Sequence, residues 1–124
     1  MQNLKNSKIA LVGVSTNPKK YGHKIFKDLL AVNYSVVGIN PKSEDVLGQK
    51  IIPSLADLDF KPDLVIIVVP SHIALAILQE AAELKIENVW MQPGSESDEA
   101  IKFAKENEIN LVTNSCIMIN QKLW

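Results

Sequence analysis

Cysteine is nearly absent: Cys116 is the only one in 124 residues. An internal disulfide is therefore excluded, and stability has to come from an apolar core. An excess of one charge is missing too, with 13 basic residues against 14 acidic ones and a net charge of -1. No global field then draws the chain to nucleic acid or to an anionic membrane, so an anionic ligand needs a local site. Long hydrophobic runs are also lacking, and the longest, residues 64–70, is far too short to cross a bilayer. Nothing before residue 8 reads as a signal peptide, and no internal repeat, linker, low-complexity segment or metal-ligand spacing stands out. These absences predict a soluble, cytoplasmic protein with one domain over residues 1–124.

What is present suits a folded domain, since 47% of residues are hydrophobic and the charges are of mixed sign. Strands and helices alternate along the chain. Residues 8–14 read as a buried strand through the continuous run Ile9-Ala10-Leu11-Val12. A helix over 22–32 follows, with Ile25, Phe26, Leu29 and Leu30 in one stripe. Residues 34–39 form a second strand ended by Asn40-Pro41, and 49–52 are expected to add a short third. Ser54 to Asp57 fits a capping box for one helical turn. The strongest strand is 63–69, wholly apolar over residues 64–69 and β-branched after the first leucine.

Ser71 is the expected cap of a helix reaching about residue 84, burying Ala74, Ile77, Leu78 and Ala81. A strand over 88–91 and a turn at Pro93-Gly94 follow. Ser95 or Ser97 then caps a helix to about residue 107, with Ala100, Ile101 and Ala104 inward. Residues 111–113 make the last strand. The alternation implies βαβ units, and thus an α/β fold: an open, doubly wound parallel sheet in a three-layer, Rossmann-like domain.

In such a sheet ligands bind beyond the carboxyl ends of the strands. The first of these loops is not a dinucleotide fingerprint, because Ser15 and Pro18 stand where G-x-G-x-x-G requires glycines after Gly13. It offers the hydroxyls of Ser15 and Thr16, the amide of Asn17 and the cations of Lys19 and Lys20, ahead of a helix start that favours anions. At the end of the second strand, an NAD site usually carries an acid for the ribose hydroxyls. Here Asn40-Pro41-Lys42 stands instead, with no carboxylate before Glu44. A lysine there suits a phosphate on the adenosine ribose, leaving CoA with its 3′-phosphate and NADP with its 2′-phosphate both open.

Several segments in order now resemble one family: Gly13-Val14-Ser15, Asn17-Pro18, Tyr21-Gly22, residues 37–42, Gly48, Ser54-Leu55, Val68-Val69-Pro70, residues 90–94 and residues 114–118. They resemble the small stand-alone CoA-binding domain proteins, which are similar in turn to the CoA-binding domain of the succinyl-CoA synthetase α subunit. The likeness covers roughly residues 8–119. It implies coenzyme A as the ligand. By that resemblance Gly13, Ser15, Thr16, Asn17, Tyr21 and Gly22 hold the pyrophosphate, with Val14 and Lys20 in the same cofactor-binding loop. Lys42, beside Asn40 and Pro41, faces the 3′-phosphate. Val69 and Pro70 wall the adenine, and Gln92, Pro93 and Gly94 lie near the pantetheine arm.

The synthetase α subunits carry a further domain with a phosphorylated histidine, which this chain is too short to contain. His23 and His72 are expected to be polar and exposed, so no catalytic residue is assigned. Cys116 is expected to be a small buried hydrophobe, although a mixed disulfide with CoA is chemically open to it. Trp90 reads as core, and Trp124 as a tail or dimer contact. The expectation is a non-enzymatic module binding CoA or an acyl-CoA, with a homodimer or an unidentified protein partner left open. The alternatives are an NADP(H)-dependent reductase-like enzyme, which lacks an evident proton donor here, and an interaction module with an empty pocket.

Overall fold

Alternate residues of the central strands face opposite sides, and both sides are dry. The computed structural model describes residues 4–124, in which β1 (Lys8–Val12), β2 (Ser35–Ile39), β3 (Leu64–Ile67), β4 (Asn88–Met91) and β5 (Asn110–Val112) form one sheet. All pairings are parallel and the order is β2-β1-β3-β4-β5. Ile9, Leu11, Leu64, Ile66 and Trp90 pack on one face with Ile25, Phe26 and Leu29 of α1 (Tyr21–Ala31). Ile117 and Met118 of the short α4 (Ile117–Asn120) close that layer. Ala10, Val12, Val65, Ile67, Val89 and Met91 pack on the other face. There they meet Ala74, Leu78 and Ala81 of α2 (Ser71–Glu83) and Ala100 and Ala104 of α3 (Asp98–Glu106). The result is an α/β Rossmann-like fold of three layers, wound in both directions from β1.

Several local expectations shift. Residues 49–52 do not become a strand; a single parallel bridge joins Ile52 to Ile39 at the edge of β2. The reason lies on both sides of it. Val46 and Gln49 close a tight turn with positive φ at Leu47 and Gly48, and Pro53 has no N–H to continue a ladder. Ser71 does not cap α2. Pro70 takes the cap position, and Ser71 is already the first helical residue. Ser54 does not cap either, because its hydroxyl donates to Asp57 Oδ2 at 2.8 Å above one 3₁₀ turn, Leu55–Asp57. Ser97 does cap α3, accepting from Ala100 N–H at 3.1 Å. On α3 it is Phe103, rather than Ile101, that packs against the second core.

Candidate functional site

The change in winding direction falls between β1 and β3, since α1 leads away to β2 on one side and α2 leads towards β4 on the other. A crevice at the carboxyl ends of these strands is the expected ligand position in this topology. Gly13 ends β1 there with φ +107°, and a Cβ at that position would lie 2.6 Å from the carbonyl oxygen of Val68. Gly22, the second residue of α1, sits so close that any Cβ would collide with the carbonyl oxygen of Gly13. The two glycines therefore bring the start of α1 directly against the end of β1. They do so without the glycine fingerprint, across a longer loop.

That loop is held by its own side chains. Ser15 Oγ accepts from Asn17 N–H at 3.0 Å, and Asn17 Oδ1 accepts from Lys19 N–H at 3.0 Å. The ring Nδ1 of His23, on the first turn of α1, donates to the Ser15 carbonyl at 2.8 Å, which fixes a proton on that nitrogen. His23 is thus half-buried and engaged, not the exposed residue expected, whereas His72 is exposed on α2. Among the described residues, the N–H groups of Ser15, Thr16, Tyr21 and Gly22 keep no acceptor. The N-cap Lys20 makes no side-chain cap bond, and no acid stands in the first turn of α1. This leaves the positive end of the helix free to meet an anion.

The loop after β2 is braced against the loop after β1 by one residue. Asn40 donates through Nδ2 to the Val14 carbonyl at 2.7 Å and accepts through Oδ1 from Lys42 N–H at 2.9 Å. Between the two loops lies a cleft of ≈ 110 Å³, lined by Val14, Ser15, Thr16, Asn40, Lys42, Glu44 and Val46. The exposed Lys42 ammonium has no partner among the described residues. A larger recess of ≈ 490 Å³ lies between residues 82–87 and 107–110. It opens at the amino ends of β4 and β5, the wrong end of the sheet for a ligand of this fold.

The remaining residues singled out from the sequence divide into two groups. Val69 is half-buried beside Gly13 and Pro70 is exposed, both at the end of β3. Ser95 is buried and donates its hydroxyl to the Val69 carbonyl at 2.5 Å, tying the loop after β4 to the loop after β3. Pro93 and Gly94 are exposed in that loop, with Gly94 at φ +96°. Gln92 is buried, and its amide is occupied within the fold. Its Oε1 accepts from Ile117 N–H at 2.8 Å and its Nε2 donates to Cys116 Sγ at 3.3 Å. Tyr21 points elsewhere: its ring lies 6.1 Å from that of Trp124, over a groove with Lys24, Lys27 and Asp28. Trp124 also donates to Asp28 Oδ2 at 2.6 Å, so it anchors the tail to α1. Trp90 is buried as expected, and its Nε1 donates to the Ser115 carbonyl at 2.8 Å.

Glu44, Val46 and His23 escaped the sequence analysis as site components, although His23 lies one residue after Gly22 at the helix start; Ser95 lay at the end of a strand-end segment but was not assigned a role there. Among the described residues no cluster of metal-ligating side chains forms, and no helix is long and apolar enough to cross a membrane.

The model of the CoA binding domain matches residues 7–122. The chain belongs to that family. This CoA-binding domain is 27% identical over 115 residues to the protein YneT of Bacillus subtilis, covering 93% of the chain and 85% of YneT. It is 29% identical over 119 residues to the ADP-forming acetate–CoA ligase of Methanocaldococcus jannaschii. That match covers 90% of the chain but 17% of the ligase, so the chain corresponds to one part of a far longer enzyme. Among solved structures, a conserved hypothetical protein of Pyrococcus furiosus superposes with a TM-score of 0.88 at 38% identity, over 91% of this chain and 97% of that one. A dinucleotide-forming acetyl-coenzyme A synthetase of Ca. Korarchaeum cryptofilum gives 0.75 at 25% identity, over 89% of this chain and 26% of that one. The CoA-binding domain thus resembles both small proteins of its own size and a segment of large CoA ligases.

Proposed function

We propose that this domain binds coenzyme A, or an acyl-CoA, by two phosphate contacts and catalyses no reaction of its own. The pyrophosphate lies at the loop after β1, over Gly13, Val14, Ser15, Thr16, Asn17 and Lys20, and against the start of α1 at Tyr21 and Gly22. Within that loop the available donors are the N–H groups of Ser15, Thr16, Tyr21 and Gly22, since the loop uses those of Asn17 and Lys19 itself. The ribose 3′-phosphate lies at Lys42, with Asn40 and Pro41 shaping the turn beneath it. Val69 and Pro70 flank the adenine, and Pro93 and Gly94 border the pantetheine arm, with Gln92 holding their loop in place.

The observation that carries this reading is the cleft that unites Ser15, Thr16, Asn40 and an unpaired Lys42 between two rigidly braced loops. A preorganised donor set loses little on ordering, so its contacts count nearly in full towards binding. The reading without catalysis takes His23 as a brace of the loop, through its bond to the Ser15 carbonyl, and His72 as an exposed residue of α2. A reducing cytoplasm is the matching compartment for a chain with one half-buried thiol.

Isothermal titration with CoA, dephospho-CoA and NADPH tests the proposal. CoA should bind most tightly, and ligand at about 100 times its dissociation constant should stabilise the fold by about 2.7 kcal/mol in a thermal-shift assay. Failure of CoA to bind would refute it, and preferential NADPH binding would move the function to a reductase-like protein.

A further inference from the structure

The cleft that holds Lys42 also holds a carboxylate, Glu44, at its lining. In an anion site a carboxylate opposes binding by like-charge repulsion unless it meets a hydrogen-bond donor on the ligand. The ordinary explanation would be a charge partner on the protein, and Glu44 has none among the described residues. Its place is also set on both sides. Ser43 N–H donates to the Asn40 carbonyl at 2.9 Å, and the buried Val46 is bridged to Gln49 by two main-chain bonds. Of the polar side chains that line the cleft, Ser15 and Thr16 carry hydroxyls, Asn40 an amide and Lys42 an ammonium; only Glu44 is purely an acceptor. A cation and a carboxylate that do not neutralise each other call for a ligand with an anion and a donor side by side. A ribose with a phosphate and a neighbouring free hydroxyl has that pattern.

Resting on the CoA reading above, we propose that Glu44 accepts a hydrogen bond from the ribose 2′-hydroxyl while Lys42 faces the adjacent 3′-phosphate. The cleft then reads a hydroxy-phosphate pair and not a phosphate alone. Glu44 is a specificity-determining residue, favouring ribonucleotides over their deoxy counterparts.

The test is NMR titration of the full chain with adenosine 5′-monophosphate, adenosine 3′,5′-bisphosphate and 2′-deoxyadenosine 3′,5′-bisphosphate, using wild type, Glu44→Ala and Glu44→Gln. Glu44 is exposed, so neither substitution threatens the fold. In wild type, loss of the 2′-hydroxyl should weaken the bisphosphate about tenfold, as for a hydrogen bond to a charged group in a partly hydrated cleft. In Glu44→Ala the two bisphosphates should agree within about twofold, with Glu44→Gln intermediate because its amide oxygen still accepts. If the 3′-phosphate adds nothing over the monophosphate in wild type, the CoA reading itself fails. If the 3′-phosphate counts but the 2′-hydroxyl does not, or if Glu44→Ala keeps the full deoxy penalty, the role of Glu44 alone is overturned.

Discussion

The side-chain amide of Asn40 donates to the carbonyl of Val14 across 2.7 Å, joining loops that are 26 residues apart in sequence. With its other end on Lys42 N–H, the same amide fixes the spacing between the loop after β1 and the turn that carries Lys42. Removing it in Asn40→Ala should cost about 1–2 kcal/mol in urea unfolding, since two hydrogen bonds in a half-buried place are lost. CoA affinity should fall as well, because the two contacts no longer lie at a set distance. Unfolding and titration of the same variant check both parts, and an unchanged CoA affinity would show that the brace does not define the site.

Gly22→Ala separates helix propensity from packing. In an open helix this change stabilises by about 0.5–1 kcal/mol. Here the added methyl meets the carbonyl oxygen of Gly13, a main-chain atom. Neither side can rotate away, so the expected outcome is destabilisation by about 2 kcal/mol or more. The unfolding midpoint reports the sign directly.

His23→Ala removes the donor to the Ser15 carbonyl and frees the loop before α1. CoA and dephospho-CoA should weaken together, by about three- to tenfold, because both carry the pyrophosphate. A loss confined to CoA in paired titrations would place His23 near the 3′-phosphate and contradict the arrangement proposed.

Gln92→Ala should act mainly on stability. It strands the Ile117 N–H in a buried position and removes the donor to Cys116. A loss of about 1–3 kcal/mol in denaturant unfolding is expected. The ratio of CoA to dephospho-CoA affinity should stay as in wild type, which titration without denaturant, where the variant is folded, can read.

The sheet was legible in the sequence because its strands are buried on both faces, as in Ile9-Ala10-Leu11-Val12 and Val65-Ile66-Ile67. The helices were legible because Ile25, Phe26 and Leu29, or Ala74, Leu78 and Ala81, recur at helical spacing. From the alternation of strands and helices alone, the loops bearing Ser15, Lys42, Val69 and Pro93 could be placed at one end of the molecule. What escaped depends on contacts between loops distant in sequence. Asn40 to Val14, Ser95 to Val69 and Gln92 to Ile117 are joined only by the fold. Glu44 reaches the cleft through a turn with positive φ at Ser43, a residue that gives no sign of that conformation. Tyr21 stood inside a site motif, yet its ring packs beside Trp124 at the end of the chain.

The proposed binding mode is a two-point clamp, with the pyrophosphate at the start of α1 and the ribose 3′-phosphate at Lys42. Its most direct test is Lys42→Ala titrated against CoA and dephospho-CoA in parallel with wild type. Lys42 is exposed and its main-chain bond to Asn40 does not need the side chain, so the fold should be untouched. CoA should bind about tenfold more weakly, as for the loss of one charged contact to phosphate, and dephospho-CoA should change by less than about twofold. Equal losses for the two ligands, or none for either, would contradict the clamp.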